Sequence, residues 1–308
     1  MVAVVLNWNA AEETIECVRS LLSSSYRNLR IVIVDNASTD DSVECLATTF
    51  PSLNIVSNSI NSGYAGGNNL GITWALHAGA EYILIVNNDV VVDTHLIMQL
   101  VEKIRIDKKV GIVTGKVYYK DNHHRVYSGA GRFDRWRCSG VNKGTMFDRM
   151  SSDDKDREVS FVSGVLFLAR AEIFTKIGLL DEKYFMYFED LDFSRKVSKQ
   201  YSLLYTPQAI AYHKSGGGTH WGNYSQIYLY YHTRNRFIVF EHEKIYYKYY
   251  VVLFTICVTF AKALVILSFS FLKSKGDVKK RIYPLWKGIK EGILYYAHRD
   301  HVVQVGGK

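Results

Sequence analysis

The chain has 308 residues, 48% hydrophobic and 22% charged with only 3 prolines. That balance excludes a disordered or fibrous chain and, at roughly 150 residues per domain, allows two domains or one large domain with an appendage. The net charge of +8 is uneven, because residues 1–240 hold 26 Lys plus Arg against 25 Asp plus Glu while residues 241–308 hold 12 against 5. A nucleic-acid enzyme would spread its positive charge over the folded body, so no nucleic-acid partner is expected; a basic tail is either a solvated run or suited to an anionic membrane surface.

Val2–Leu6 already reads as a buried strand with no basic segment ahead of it, so no signal peptide is expected. Further strands are predicted over 29–34, 53–57, 82–86 and 110–115, each a short β-branched run. Between them Ile15, Val18, Leu21 and Leu22, and then Leu96, Leu100 and Ile104, recur at helical spacing, with Ser38, Thr39, Asp40 and Thr94 as helix starts. Strand alternating with helix predicts a mostly parallel α/β sheet covered on both faces, with ligands off the carboxyl ends of its strands. Residues 120–158 read as a long polar connection, and order returns with the stretch 159–170, a helix around 171–177, the stretch 181–197 and a strand at 202–206. The cysteines Cys17, Cys45, Cys138 and Cys257 form no CxxC pair, so neither a zinc knuckle nor a disulfide framework is encoded and a reducing compartment is expected.

Four consecutive strand ends are polar: Asn7 and Asn9 around Trp8, then DNASTDD at 35–41, NSINSGYAGGNN at 58–69 and NNDVVVD at 87–93. Each alone is ordinary turn chemistry; four in a row point to a ligand. A nicotinamide Rossmann turn would need glycines after the first strand, where none stands, and neither GxGxxG nor GxxxxGK[ST] occurs, which excludes a dehydrogenase and a P-loop phosphotransferase. Asp89, directly after an apolar strand, either begins a turn or carries a hard divalent cation that bridges phosphates. His213, also past a strand, is either a structural histidine or a nitrogen ligand. Glu189, Asp190 and Asp192 lie together behind four aromatic residues, where crowding and an apolar setting raise at least one pKa and suit a general base; a helix N-terminus accounts for some of the same carboxylates.

Seven segments in one order complete the pattern: 4–10, 31–42, 61–72, 83–92, 163–170, 178–196 and 213–218. Together they resemble the family 2 glycosyltransferases of GT-A fold, in particular their rhamnosyltransferase-like branch, over roughly residues 1–240. The resemblance implies that Leu6, Asn7 and Trp8 line the nucleotide, with the base near Trp8 and hydrogen bonded to Asp35. It implies that a loop at Asn61, Gly66, Gly67 and Asn68 closes over ribose and diphosphate, and that Asn88 touches one of them. Asp89 would carry Mg²⁺ or Mn²⁺ with His213 as a metal or diphosphate contact, Asp190 would be the catalytic base, and Gly164, Glu189 and Trp221 would border the donor sugar or acceptor. Asn87 stands where the family's DxD motif has its first carboxylate, leaving Asp89 as the one anionic ligand. The implied reaction is an inverting transfer from a dTDP- or UDP-sugar to a glycan or lipid-linked acceptor in cell-envelope polysaccharide synthesis. A non-catalytic nucleotide-sugar-binding or scaffold protein is the alternative.

Residues 241–308 read as a separate helical region. Tyr249–Leu272 is apolar apart from Lys262 and long enough to cross a bilayer. A single crossing would put the following lysines outside if the sugar-nucleotide domain faces the cytosol, so a re-entrant hairpin broken near Lys262 or an interfacial helix is expected at the cytoplasmic face of the membrane. Ile282, Leu285, Trp286, Ile289 and Ile293 share one helical face, fit for a membrane surface, for the chain's own body, or for a second copy in a homo-oligomer.

Overall fold

Buried β-branched runs become strands wherever the pattern predicts them. A computed structural model describes residues 1–142, 155–214, 219–220, 223–273 and 278–305. In chain order the first elements are β1 (Val2–Asn7), α1 (Ala11–Leu22), β2 (Arg30–Asp35), α2 (Ser42–Thr49), β3 (Asn54–Ser57), α3 (Gly63–His77), β4 (Tyr82–Asn87), β5 (Val90–Val92), α4 (Leu96–Ile106) and β6 (Val110–Tyr119). They continue with β7 (Asn122–Ser128), β8 (Gly131–Asp134), β9 (Ser139–Asn142), β10 (Arg157–Val159), β11 (Leu166–Arg170), α5 (Ala171–Lys176), α6 (Glu189–Val197) and β12 (Ser202–His213). Two-residue strands β13 (Thr219–His220) and β14 (Asn223–Tyr224) precede α7 (Gln226–Ile238), α8 (Ile245–Lys273) and α9 (Val278–Val305).

The chain divides into two compact units. The first comprises Met1–Phe133, Gly140–Phe185 and Glu189–Ser215; the second comprises Asp134–Ser139, Met186–Phe188 and Gly216–Lys308.

The first unit is built on a ten-stranded sheet of order β10-β12-β6-β11-β4-β1-β2-β3, with β5 on β12 and β7 on β6. β1, β2, β3, β4, β6 and β12 run one way and the other four oppose them, so the sheet is mostly parallel. Apolar clusters bury both of its faces, one around Val5, Leu21, Leu84, Leu100 and Leu168, the other around Val4, Val34, Ile72, Phe167 and Phe193. This is the α/β architecture that the strand and helix alternation predicts.

Two expectations need correction. The long polar connection at 120–158 contains β7, β8, β9 and β10; β7 is paired on β6 but exposed over Asn122–Arg125, which gives it a loop-like sequence. The glycine-rich stretch expected as a loop is the start of α3. A Cβ on Gly67 would collide with Leu6 and one on Gly71 with Val4, so glycines one turn apart let the helix lie directly on β1.

In the second unit α9 packs closely along α7. A Cβ on Gly292 would collide with the Phe237 ring and one on Gly288 would sit 2.8 Å from the Tyr230 carbonyl. Leu285 and Ile289 are buried, whereas Trp286 and Ile293 remain exposed, so the apolar face of α9 is shared between the unit's own core and solvent. α8 runs unbroken through Lys262, which corrects the hairpin expected there. Its window Ile245–Ser268 is long and apolar enough to cross a membrane. All four cysteines are free.

Candidate active site

The first unit gathers the polar strand ends along one edge of the sheet. Asn7 is in register with Asp35, and Leu6 with Asn87, so the ends of β1, β2 and β4 lie level. A chain of side chains ties them together: Asn88 Nδ2 donates to Thr14 Oγ1 at 3.1 Å, Thr14 donates to Asn7 Oδ1 at 2.7 Å, and Asn7 Nδ2 donates to Asp35 Oδ1 at 2.9 Å. Ser38 completes it with its hydroxyl on Asp35 Oδ1 and its amide on Oδ2. Asn7 and Asp35 are buried, so this network fixes the shape of the edge, while Trp8, 47% exposed, is the group free to meet a flat ligand.

Asn61 Oδ1 accepts from the Gly63 amide and from Asn36 Nδ2. Gly66, Gly67 and Asn68 are buried within α3, Asn68 donating to the Tyr64 carbonyl, so they support the site from beneath and form no mobile cover. Asn36, whose amide bridges Asn61 and the Gly63 carbonyl, and Asn69, which exchanges hydrogen bonds with the Leu180 backbone, were not singled out by sequence. Trp221 lies outside the described residues.

β5 and β12 bring Asp89 to His213. Val90 is in register with His213, and the Lys214 amide donates to the Asp89 carbonyl at 2.9 Å. His213 Nε2 then lies 3.2 Å from Asp89 Oδ2, with the imidazole stacked on Tyr127 at 4.0 Å. Burial pushes the Asp89 carboxyl up, against the pull of His213, and pushes the imidazole down, against the pull of Asp89. Asp89 Oδ1, Asn87 Oδ1 and His213 Nδ1 are buried with no hydrogen-bond partner among the described residues.

These orphaned oxygens and a neutral imidazole suit a divalent cation, which would reverse both shifts. Among the described residues no three His, Cys, Asp or Glu side chains come together as a ligand group, so the protein's own donors fit a cation completed by phosphate oxygens.

Asp190 sits in the first turn of α6, where its Oδ2 accepts from the Gly164 amide at 3.0 Å and its Oδ1 from the Leu191 amide at 2.8 Å. The residue keeps partial exposure, yet protein crowds its carboxyl, and burial raises the pKa to about 6 against the pull of those amides. Glu189 is buried, its Oε2 unpartnered among the described residues, and burial followed by the Asp190 charge drives it further up. The two carboxyls are adjacent and titrate as a pair, both held above the usual carboxylate range chiefly by burial. Asp192 instead pairs with Lys196 one turn on, at 2.6 Å, and is structural.

Tyr64, which the sequence did not single out, is tied through Gly164 to Asp190. Its phenol donates to the Gly164 carbonyl at 2.5 Å, and its ionisation is opposed by burial and then by Glu189, Asp190 and Asp89. Just before α6 the backbone is strained, with Phe185, Tyr187 and Phe188 at φ 61°, 68° and 74°. Asn235, also missed, holds Met186 and Tyr187 through hydrogen bonds to both carbonyls at 2.8 Å. Strain of this kind costs about 1–3 kcal/mol per residue and collects at functional sites.

A mostly parallel sheet covered by helices, with a polar edge at its strand ends, is the GT-A architecture. The profile "Glycosyl transferase family 2" matches residues 2–178, more than half of the chain, and the chain belongs to that family. It is 32% identical over 121 residues to glycosyltransferase GlyG of Streptococcus pneumoniae serotype 4, covering 38% of this chain and 39% of GlyG, so the match spans about two-fifths of that relative. It is 24% identical over 217 residues to the N-acetylglucosaminyl-diphospho-decaprenol L-rhamnosyltransferase of Mycobacterium tuberculosis, covering 64% of this chain and 70% of that one. The fold matches the mannosyltransferase PcManGT from Pyrobaculum calidifontis, solved with GDP-Man and Mn²⁺, at a TM-score of 0.58 and 13% identity over 96% of this chain and 86% of that one.

Proposed function

We propose that the chain is an inverting glycosyltransferase that moves a sugar from a nucleoside-diphosphate donor to a hydroxyl of a glycan or lipid-linked acceptor in cell-envelope glycan assembly. The observation that carries this reading is that one unit holds both a carboxylate, Asp190, fixed by the Gly164 and Leu191 amides, and the Asp89–His213 pair, whose buried Oδ1 and Nδ1 have no hydrogen-bond partner among the described residues. Trp8 offers a stacking surface for the base, and Asp35 anchors the edge below it.

Asp89 and His213 would hold Mg²⁺ or Mn²⁺, with Asn87 offering a neutral oxygen in place of the carboxylate that the family's motif carries. When bound, such a cation supplies positive charge against the developing charge of the diphosphate. Asp190 takes the proton of the acceptor hydroxyl as that oxygen attacks the anomeric carbon from the face opposite the diphosphate. A raised pKa makes it a better base, and the Gly164 and Leu191 amides hold it in place. Burial and the Asp190 charge push the Glu189 carboxyl up, which favours its neutral form beside the base. The resemblance to a rhamnosyltransferase favours a thymidine-linked deoxysugar donor, and a lipid-linked diphosphate sugar as acceptor.

The second unit favours attachment to the cytoplasmic face of a membrane. Tyr246, Tyr249, Leu253, Ile256, Phe260, Leu264 and Leu267 are exposed along one side of α8 at helical spacing, beside a tail of net charge +7.

A thermal-shift panel of nucleoside diphosphates with and without Mn²⁺ tests the donor reading, because a ligand raises Tm in proportion to its affinity. The expected result is a Mn²⁺-dependent rise with one or two nucleotides. A melting temperature indifferent to every nucleotide would contradict it.

A further inference from the structure

The second unit carries an arginine, a histidine and a lysine that the transfer chemistry leaves unused. Arg236, on α7, is only 4% exposed. Among the described residues its one hydrogen bond runs from Nε to the Cys138 carbonyl at 3.3 Å. The rest of the guanidinium lies near the rings of Phe188 and Phe254, at 5.9 and 5.5 Å. One turn earlier His232, half-buried, packs among Tyr187, Phe188 and Tyr228 with ring separations of 6.3, 5.1 and 4.7 Å, its Nδ1 buried and unpartnered among the described residues. From α8, Lys262 places Nζ over Tyr228 at 4.8 Å and Tyr224 at 5.8 Å.

The charges felt by His232 are Lys262 and Arg236, both positive, which together with burial hold its imidazole well below the usual range. The charge felt by Lys262 is Arg236. Among the described side chains, the acidic residues of the unit's helical part are engaged elsewhere: Glu291 by Tyr230 and Lys287, Glu241 by Tyr295 and His242, Glu243 by Arg135. Buried cations are ordinarily paired or hydrogen bonded, because desolvating them uncompensated is unfavourable. Here a guanidinium, an imidazole and an ammonium share an aromatic-walled site with no carboxylate among the described residues, while the partial exposure of His232 and Lys262 leaves an approach.

An anion relieves that imbalance. A phosphate group carries nearly two negative charges and matches the planar fork of arginine, and aromatic walls strengthen the contact by excluding water. The same unit presents the exposed apolar stripe of α8, which includes Phe260 and Leu264 and lies on the face of the helix opposite Lys262. We propose that Arg236, His232 and Lys262 form a phosphate site for the phosphate or diphosphate of a lipid-linked acceptor. The assignment to an acceptor rests on the glycosyltransferase reading; the phosphate chemistry does not.

The test uses the full chain and phosphatidylcholine vesicles carrying either a polyprenyl diphosphate or the matching polyprenol, with inorganic pyrophosphate as soluble competitor. Wild type should bind the diphosphate vesicles roughly tenfold tighter than the polyprenol vesicles, and millimolar pyrophosphate should reduce that preference. Arg236→Met and Lys262→Met should abolish the preference while nucleoside diphosphate binding with Mn²⁺ stays at the wild-type level. Lys262 is half-buried, so its variant carries the test even where Arg236→Met lowers Tm. Equal binding to both vesicles, or an undiminished preference in Lys262→Met, would overturn the proposal, as would pyrophosphate binding with no contribution from the lipid. Failure of nucleotide to bind wild type, with the lipid preference intact, would instead remove the donor reading and leave the phosphate site standing.

Discussion

The Tyr64 phenol donates to the Gly164 carbonyl at 2.5 Å, and the amide of the same glycine donates to Asp190 at 3.0 Å. One peptide segment thus links α3, which lies on the nucleotide-side strand β1, to the carboxylate assigned as base. A Cβ on Gly164 would come within 2.9 Å of the Tyr64 oxygen, so the segment has no room to carry a side chain. Tyr64→Phe should lower kcat several-fold with little change in nucleotide affinity, and should cost about 1 kcal/mol of stability for the lost buried hydrogen bond. Steady-state kinetics beside a urea melt separate the two effects.

Asp190→Asn removes the proton acceptor but preserves most of the side chain's shape. Turnover should fall by roughly 10²- to 10⁴-fold. Because the folded state raises the Asp190 pKa, its neutral form is favoured by folding, and the associated stability is lost as pH climbs from about 4 through about 6. The asparagine variant lacks that loss and should melt higher than wild type at pH 7, which calorimetry would show.

The same shift sets the acid limb of activity. With the base ionised only above about 6, kcat/KM should fall tenfold per pH unit below that point, and Asp190→Asn should have no such limb in its residual activity. A limb unchanged in the variant would assign the titration to another group.

Asp89→Asn replaces the orphaned carboxylate oxygen with a neutral amide. The Mn²⁺-dependent part of nucleotide binding should disappear, with a loss of roughly tenfold or more in affinity, while metal-free binding stays near wild type. His213→Gln should show a smaller change in the same direction. Calorimetric titrations with and without EDTA measure both.

Charged substitutions on the exposed side of α8, such as Leu253→Glu with Phe260→Glu, should release the protein from anionic vesicles without lowering Tm, since neither side chain is buried. Flotation with vesicles of rising phosphatidylglycerol content reads this, and retention of both charged variants on vesicles would contradict the membrane assignment.

The parallel half of the sheet was legible because β1, β2 and β4 are buried on both faces and so read as unbroken β-branched runs. β12 was not: it runs on to His213, beyond the predicted 202–206, because Pro207 and Gln208 fall at the irregularity between Tyr205 and Ile210, where ladder pairing lapses. α3 was hidden by its own glycines, although their spacing at 63, 67 and 71 places them on one face and marks a helix packed tightly on a strand. Asp89, Asp190 and His213 stood out as charged or titratable groups at strand and helix ends. Tyr64 and Asn235 could not, since a tyrosine in a helix and an asparagine in a polar stretch carry no local signal, and their roles depend on Gly164 and on the strained carbonyls at 186 and 187, far away in sequence.

The central claim, that Asp89 and Asp190 serve the two ends of one bond, is tested most directly by measuring Mn²⁺-dependent nucleoside diphosphate affinity and sugar transfer on the same preparations of wild type, Asp89→Asn and Asp190→Asn. The account predicts that Asp190→Asn keeps the affinity while losing at least about a hundredfold in transfer, and that Asp89→Asn loses both. Transfer at the wild-type rate by Asp190→Asn, or undiminished metal-dependent affinity in Asp89→Asn, would contradict it.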